Sequence, residues 1–138
     1  MSENFQFLKF LNPDFIPTPE IEKEFEGAIQ VKEIKRKELL QRKGDTHSKA
    51  YFVKKGLLKS YVLDEKGKEH IFMFAPENWI VTDINSVINY GETELYIQAI
   101  EDSEVEIIQG EAFMKLTHEL HSNRQAEVRK LLKRNAVL

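Results

Sequence analysis

At 138 residues the chain has the length of one domain, and a chain of this size buries enough apolar surface to fold without covalent staples. It contains no cysteine, which excludes disulfides, thiolate zinc sites and iron–sulfur clusters and fits a reducing cytoplasm. The net charge of −3 argues against a surface that binds nucleic acid as a whole; no apolar run reaches the roughly 20 residues of a membrane span, and Met1-Ser2-Glu3-Asn4 lacks the basic and apolar regions of a secretory signal.

The first thirty residues read as broken helix. Phe5, Leu8 and Leu11 share one helical face, and Asn12-Pro13 and Ile16-Pro17 interrupt it. Thr18-Pro19-Glu20 restarts a helix, with threonine as cap, proline at the first helical position and glutamate at the positive end of the dipole. Its apolar stripe runs through Ile21, Phe25 and Ala28/Ile29. From Val31 the period changes to two. Val31–Arg36, Glu38–Gln41, Ala50–Val53, Leu57–Leu63, Lys68–Phe74, Glu94–Ile100 and Glu104–Ile108 are predicted strands, with an eighth around Trp79–Val81. Glycine turns separate several of them, and Asp64-Glu65-Lys66-Gly67 is a tight hairpin signal. Many short strands with frequent turns predict a barrel or jelly roll rather than a βαβ sheet.

Two stretches depart from the β pattern. Thr82–Ile88 predicts one or two helical turns, capped by Thr82 or Asp83. After Gly110 the spacing turns helical through Phe113, Leu116 and Leu120, and continues through Val128, Leu131, Leu132 and Leu138. That apolar face is still running at Leu138, which favours a chain that continues. Charge is uneven as well. Between Lys32 and Lys59 there are ten Lys/Arg and three Asp/Glu, whereas Glu101 to Glu111 holds five acids and no base. A basic stripe can meet an anion, but strands that alternate place such residues outward in any case, and that simpler reading is adopted.

The order of parts, with the motifs Leu39-Leu40-Gln41-Arg42-Lys43-Gly44-Asp45, Tyr51-Phe52-Val53-Lys54-Lys55-Gly56 and Asp64-Glu65-Lys66-Gly67-Lys68-Glu69, resembles the cyclic-nucleotide-binding-like sensor domain of Crp/Fnr-type bacterial regulators. Phe74-Ala75-Pro76-Glu77-Asn78-Trp79 and Leu95–Ser103 resemble a subgroup common in the Bacteroidetes. The resemblance covers roughly residues 20–138. It implies a mainly β fold with flanking helices: an eight-stranded β-roll or jelly roll (double-stranded β-helix), short N-terminal helices and a long C-terminal helix. Residues 1–122 would form the N-terminal helices and β-roll sensor, and residues 123–138 the start of a dimerisation helix. No DNA-binding helix-turn-helix follows in this chain, so DNA would be reached only through a domain that it lacks.

By the same resemblance, a cyclic nucleotide is held by a Gly-Glu-Leu-like turn opening a short helix, whose amides meet the phosphate and whose glutamate takes the ribose hydroxyl, and by an arginine some ten residues on. Here the turn has no glycine, Asp83 stands near the glutamate's place, and Thr93 or Glu94 stands at the arginine's. Losing that arginine removes a charge-assisted pair of roughly 1.5–3 kcal/mol. The cassette is therefore expected to be degenerate and not to hold cAMP in the standard way. Trp79, Ile80, Thr82, Asp83, Asn85, Ser86, Thr93 and Glu94 are its candidate ligand-binding residues. The pocket either receives another small molecule or is filled by its own side chains.

The histidines bear on a second fold-level reading, because β-rolls resemble cupins, which bind metal. His47, His70, His118 and His121 lack the cupin ligand spacing. His118 and His121 lie three apart on a helix, a spacing open to zinc but far commoner on plain surfaces. No nucleophile–base pair, phosphate loop or paired-carboxylate motif is present. The sequence thus predicts a cytoplasmic, non-enzymatic sensor without metal, cofactor or membrane contact. It would form a homodimer through Val128, Leu131, Leu132 and Leu138. A cupin-like metal enzyme and a ligand-free interaction scaffold are the alternatives.

Overall fold

The computed structural model describes residues 5–11, 13, 14, 16, 18–89 and 91–119. Two short helices, α1 (Gln6–Leu11) and α2 (Pro19–Glu24), precede the strands β1 (Ile29–Ile34), β2 (Leu39–Gln41), β3 (Lys49–Lys55), β4 (Leu58–Leu63), β5 (Glu69–Ala75) and β6 (Ile80–Thr82). Helix α3 (Ile84–Asn89) follows, then β7 (Tyr96–Ala99), β8 (Ser103–Gln109) and α4 (Gly110–Glu119). All eight strands pair antiparallel in two four-stranded sheets, ordered β1-β8-β3-β6 and β2-β7-β4-β5. The predicted dimerisation residues Val128, Leu131, Leu132 and Leu138, and His121, lie outside the described residues, as does the side chain of His118.

The alternation of each strand sorts its side chains into two cores. Tyr51 and Val53 of β3, Val81 of β6, Val105 of β8, Leu58 of β4 and Ile97 of β7 meet between the sheets, in the interior of the roll. Ala50 and Phe52, Ile80 and Ile108 point the other way, where Phe7 and Leu8 of α1 and Phe113 of α4 cover them. The first sheet is therefore buried on both faces along β3, β6 and most of β8, while β5 at the edge of the second leaves Ile71, Phe72 and Phe74 about half exposed. Phe7 links the outer layer, its ring 5.6 Å from Phe52 and 5.7 Å from Phe113.

Several local expectations shift by a residue or two. Helix α2 stops at Glu24, because the chain turns at Gly27 with φ +80°; Phe25 is buried in that turn, and Ile29 opens β1 rather than ending a helical stripe. Thr82 closes β6, and Asp83 is the cap of α3, its Oδ1 accepting the amide of Ser86 at 3.2 Å. The Asp64–Gly67 hairpin forms with Gly67 at φ +81°, and Asp64 Oδ1 accepts the amides of Lys66 and Lys68, both at 2.9 Å. One acid assigned outward is not: Glu106 on β8 is 0% exposed. Its carboxylate accepts the amides of Gln6 (2.9 Å) and Phe7 (3.1 Å), the open N-terminal donors of α1.

Candidate functional site

The predicted cassette residues divide by position. Thr82, Asp83, Ser86 and Thr93 are buried; Trp79 is half-buried against the interior core. Ile80 is fully buried, but on the helix-covered face of its sheet, and Thr82 shares that parity, with its hydroxyl donating to Lys49 O at 3.3 Å. Asn85 is exposed on α3, and Glu94 is exposed, with an oxygen 3.5 Å from Lys43 Nζ. The fold therefore gathers Asp83, Ser86 and Thr93, and sets Ile80, Asn85 and Glu94 apart.

Thr93 is the hub of that group. Its hydroxyl donates to Asp83 Oδ2 at 2.6 Å and accepts from Gln41 Nε2 at 3.1 Å and from the Leu95 amide at 3.0 Å. Its backbone is held too, the amide by Asp45 O at 3.0 Å and the carbonyl by the Gly44 amide at 2.9 Å. Asp83 in turn caps α3 through Ser86. The Ser86 hydroxyl lies 2.6 Å from that of Ser48 and donates to Gly91 O at 2.7 Å. One hydrogen-bonded network thus joins the end of β2, the loop from β2 to β3, α3 and the approach to β7. Buried polar groups need such partners, and here the protein supplies its own.

Three buried polar residues escaped the sequence reading, Gln41 and Ser48 within this network and Ser60 outside it. Gln41 is 3% exposed at the end of β2, and its Nε2 also donates to Leu95 O at 3.3 Å. Ser48 precedes β3 and packs beside Gly110, where an added Cβ would come within 2.6 Å of Ser48 O. Ser60 is 0% exposed on β4, in phase with the inward Leu58. A polar residue at an inward position of an alternating strand was the available signal for Gln41 and Ser60. In the roll interior, on β3 of the other sheet, burial and then Asp45 push the Tyr51 phenol up from its ordinary range, and its hydroxyl donates to Leu40 O at 3.3 Å.

A cavity of about 610 Å³ lies on the helical side, lined by His47, Ser48, Val87, Gly110, Ala112 and Lys115 among others; none of the predicted cassette residues lines it. Among the described residues there is no cluster of three or more His, Asp or Glu placed to hold a metal ion, and no helix is long and apolar enough to cross a membrane. His70 is committed elsewhere, with Nε2 2.9 Å from Asp64 Oδ2.

Comparison with known proteins places this geometry. Solved structures share the fold at low identity. The sensor domain of the transcriptional regulator DNR from Pseudomonas aeruginosa matches with a TM-score of 0.70 and 19% identity, over 97% of this chain and 91% of that one. The Catabolite Activator Protein of Thermus thermophilus matches with a TM-score of 0.66 and 19% identity, over 91% of this chain but 57% of that one. The cAMP-bound form of the EAL enzyme Bd1971 matches with a TM-score of 0.58 and 22% identity, over 76% of this chain and 28% of that one. No curated protein matches the chain significantly in sequence. The model of the cyclic nucleotide-binding domain matches residues 31–119, which span the eight strands but for the first two residues of β1, together with α3 and α4, and the chain belongs to that family.

Proposed function

We propose that this chain is the ligand-sensing and dimerisation module of a Crp/Fnr-type transcription regulator, and that it does not hold cAMP or cGMP in the family's standard way. The family and the regulators among the structural neighbours support the first part. One observation carries the second. Where the resemblance puts an arginine, Thr93 stands buried with its hydroxyl on the carboxylate of Asp83, itself 2% exposed. A phosphate brought there meets like charge instead of a guanidinium. At about 4 Å and an effective dielectric near 20 the interaction is roughly 4 kcal/mol, repulsive where an arginine would attract.

In this reading the module performs no chemistry and works in the cytoplasm. A small ligand in the roll moves α3 and the strands beside it. That motion biases how residues 123–138 pair with their twofold mate through Val128, Leu131, Leu132 and Leu138, and so how DNA-reading domains outside this chain are spaced. Calorimetric titration with cAMP and cGMP, together with sedimentation of the whole chain, tests both halves. The expected result is a dimer with no saturable nucleotide binding. A dissociation constant below about 10 μM for either nucleotide would overturn the reading of the cassette, and a monomer at high concentration would overturn the dimer.

A further inference from the structure

Two polar atoms inside the roll have no hydrogen-bond partner among the described residues: Gln41 Oε1 and Ser60 Oγ. Native proteins leave few such atoms, and these two are not scattered. Gln41 of β2 is in register with Ile97 of β7, Ile97 with Ser60 of β4, and Ser60 with Met73 of β5. They therefore occupy one row across the inner wall of the second sheet, on either side of Ile97, which is buried in the interior core. At the usual strand spacing they stand roughly 9.5 Å apart.

The chemistry each offers is fixed. Gln41 Nε2 donates both to Thr93 Oγ1 and to Leu95 O. A carbonyl oxygen only accepts, so turning the amide over would set acceptor against acceptor. The remaining Oε1 is an acceptor that needs a donor. Ser60 Oγ both donates and accepts. The wall around them is apolar: Leu40 and Met73 of the same sheet, and Ile107 of β8 in the other, are packed against the interior core and only partly buried. The neighbouring buried charge is a carboxylate, that of Asp83.

We infer that the roll interior is built for an uncharged ligand, one whose apolar body lies on this wall and whose hydrogen-bond donors reach Gln41 Oε1 and Ser60 Oγ. The inference rests on the reading above that the roll receives a small molecule, and it names that molecule's chemistry. An anion gains at most the one hydroxyl proton of Ser60, while it meets the acceptor Gln41 Oε1 and the nearby carboxylate of Asp83. A neutral molecule with hydroxyl or amide N–H groups satisfies both orphan atoms as it enters.

Adenosine serves as the uncharged probe and cAMP as its anionic counterpart, titrated calorimetrically into the whole chain and into its Ser60→Ala and Gln41→Met variants. Adenosine is expected to bind at least about tenfold more tightly than cAMP, and each variant to weaken it about tenfold, the loss of one hydrogen bond to a neutral group. The melting temperature of Ser60→Ala is expected to hold or to rise by about 3 °C, because an unpartnered hydroxyl leaves the core. Adenosine that binds no better than cAMP, or that binds Ser60→Ala as it binds the wild type, overturns the inference. So does a fall in the melting temperature of Ser60→Ala, which would show the hydroxyl to be held within the fold. Silence from both probes overturns the inference and leaves the reading of the cassette standing. Micromolar cAMP binding overturns that reading itself.

Discussion

Replacing Glu106 with alanine should undock α1, and the size of the effect follows from its surroundings. The carboxylate is 0% exposed and takes the amides of Gln6 and Phe7 at 2.9 and 3.1 Å. Without it, two outcomes are open to the chain. The amides stay buried and unmatched, at about 1–3 kcal/mol each. Otherwise the first turn opens and Phe7, now 1% exposed, gives up the roughly 1.5–3 kcal/mol of a buried aromatic side chain. Some of either loss is offset, because the variant no longer desolvates a charge. A net destabilisation of about 2–3 kcal/mol at neutral pH is expected, or roughly 8 °C in melting temperature for a chain of this size. Hydrogen exchange should lose its protection over Gln6–Leu11.

The pH dependence of this effect has a definite sign. Burial holds the Glu106 carboxyl above its ordinary value of 4.5, against the opposing pull of the Phe7 and Gln6 amides and of Lys54. The native state therefore binds that proton more tightly than the unfolded chain does. Between the ordinary value and the raised one, this group's contribution to stability declines as pH rises; below and above that window it is flat. Denaturation of wild type and Glu106→Ala in parallel isolates the slope, since their other groups titrate alike. A variant within about 0.5 kcal/mol of wild type with Gln6–Leu11 still protected would refute the capping account. A wild-type advantage that grows with pH across the window would refute the assigned direction.

Two further substitutions test other parts of the fold. Thr93→Val keeps the shape but removes the hydroxyl from Asp83, Gln41 and the Leu95 amide, and should destabilise by about 3 kcal/mol in chemical denaturation, whereas Thr93→Ser stays within about 1 kcal/mol; equal losses would show that the hydroxyl is not the hub. Gly56→Ala should destabilise by at least about 3 kcal/mol or prevent folding, since φ is +103° and the new Cβ would fall 2.1 Å from Ser103 Oγ and 2.7 Å from its Cα; a variant that melts with the wild type would refute that packing.

Much of this architecture could be read from the residues alone, because the strands announce themselves by alternation and the turns by glycine. All eight predicted strands are present, each within a few residues of its expected bounds. What alternation does not reveal is which face is which when both are covered. The three residues of β6 are all buried, so Ile80 carried no sign that it faces the helices and not the roll. Glu106 was misplaced for the same reason: an acid on an alternating strand reads as outward until α1, 100 positions away in the sequence, is seen to cover it. At the cassette, Asp83 and Thr93 were legible as positions, but their bond was not. It closes across the irregular stretch from Gly91 to Leu95, where no periodicity reports on side-chain direction.

The two buried carboxylates of the sheet β1-β8-β3-β6 and its flank do the same kind of work. Glu106 orients α1 by its first amides, and Asp83 orients α3 by the amide of Ser86. The amides at the start of a helix attract an anion wherever it comes from. In the proposed reading, the anion that the family resemblance assigns to the cassette helix has been replaced by one belonging to the chain. An external phosphate would have to displace Asp83 from both Ser86 and Thr93, against an acid tethered one residue before the helix at a far higher effective concentration than a dissolved nucleotide reaches. A neutral ligand meets no such competitor, because the atoms it needs, Gln41 Oε1 and Ser60 Oγ, are those the internal network leaves unmatched. The loss of one binding chemistry and the opening for another thus have a common origin in the bond between Thr93 and Asp83.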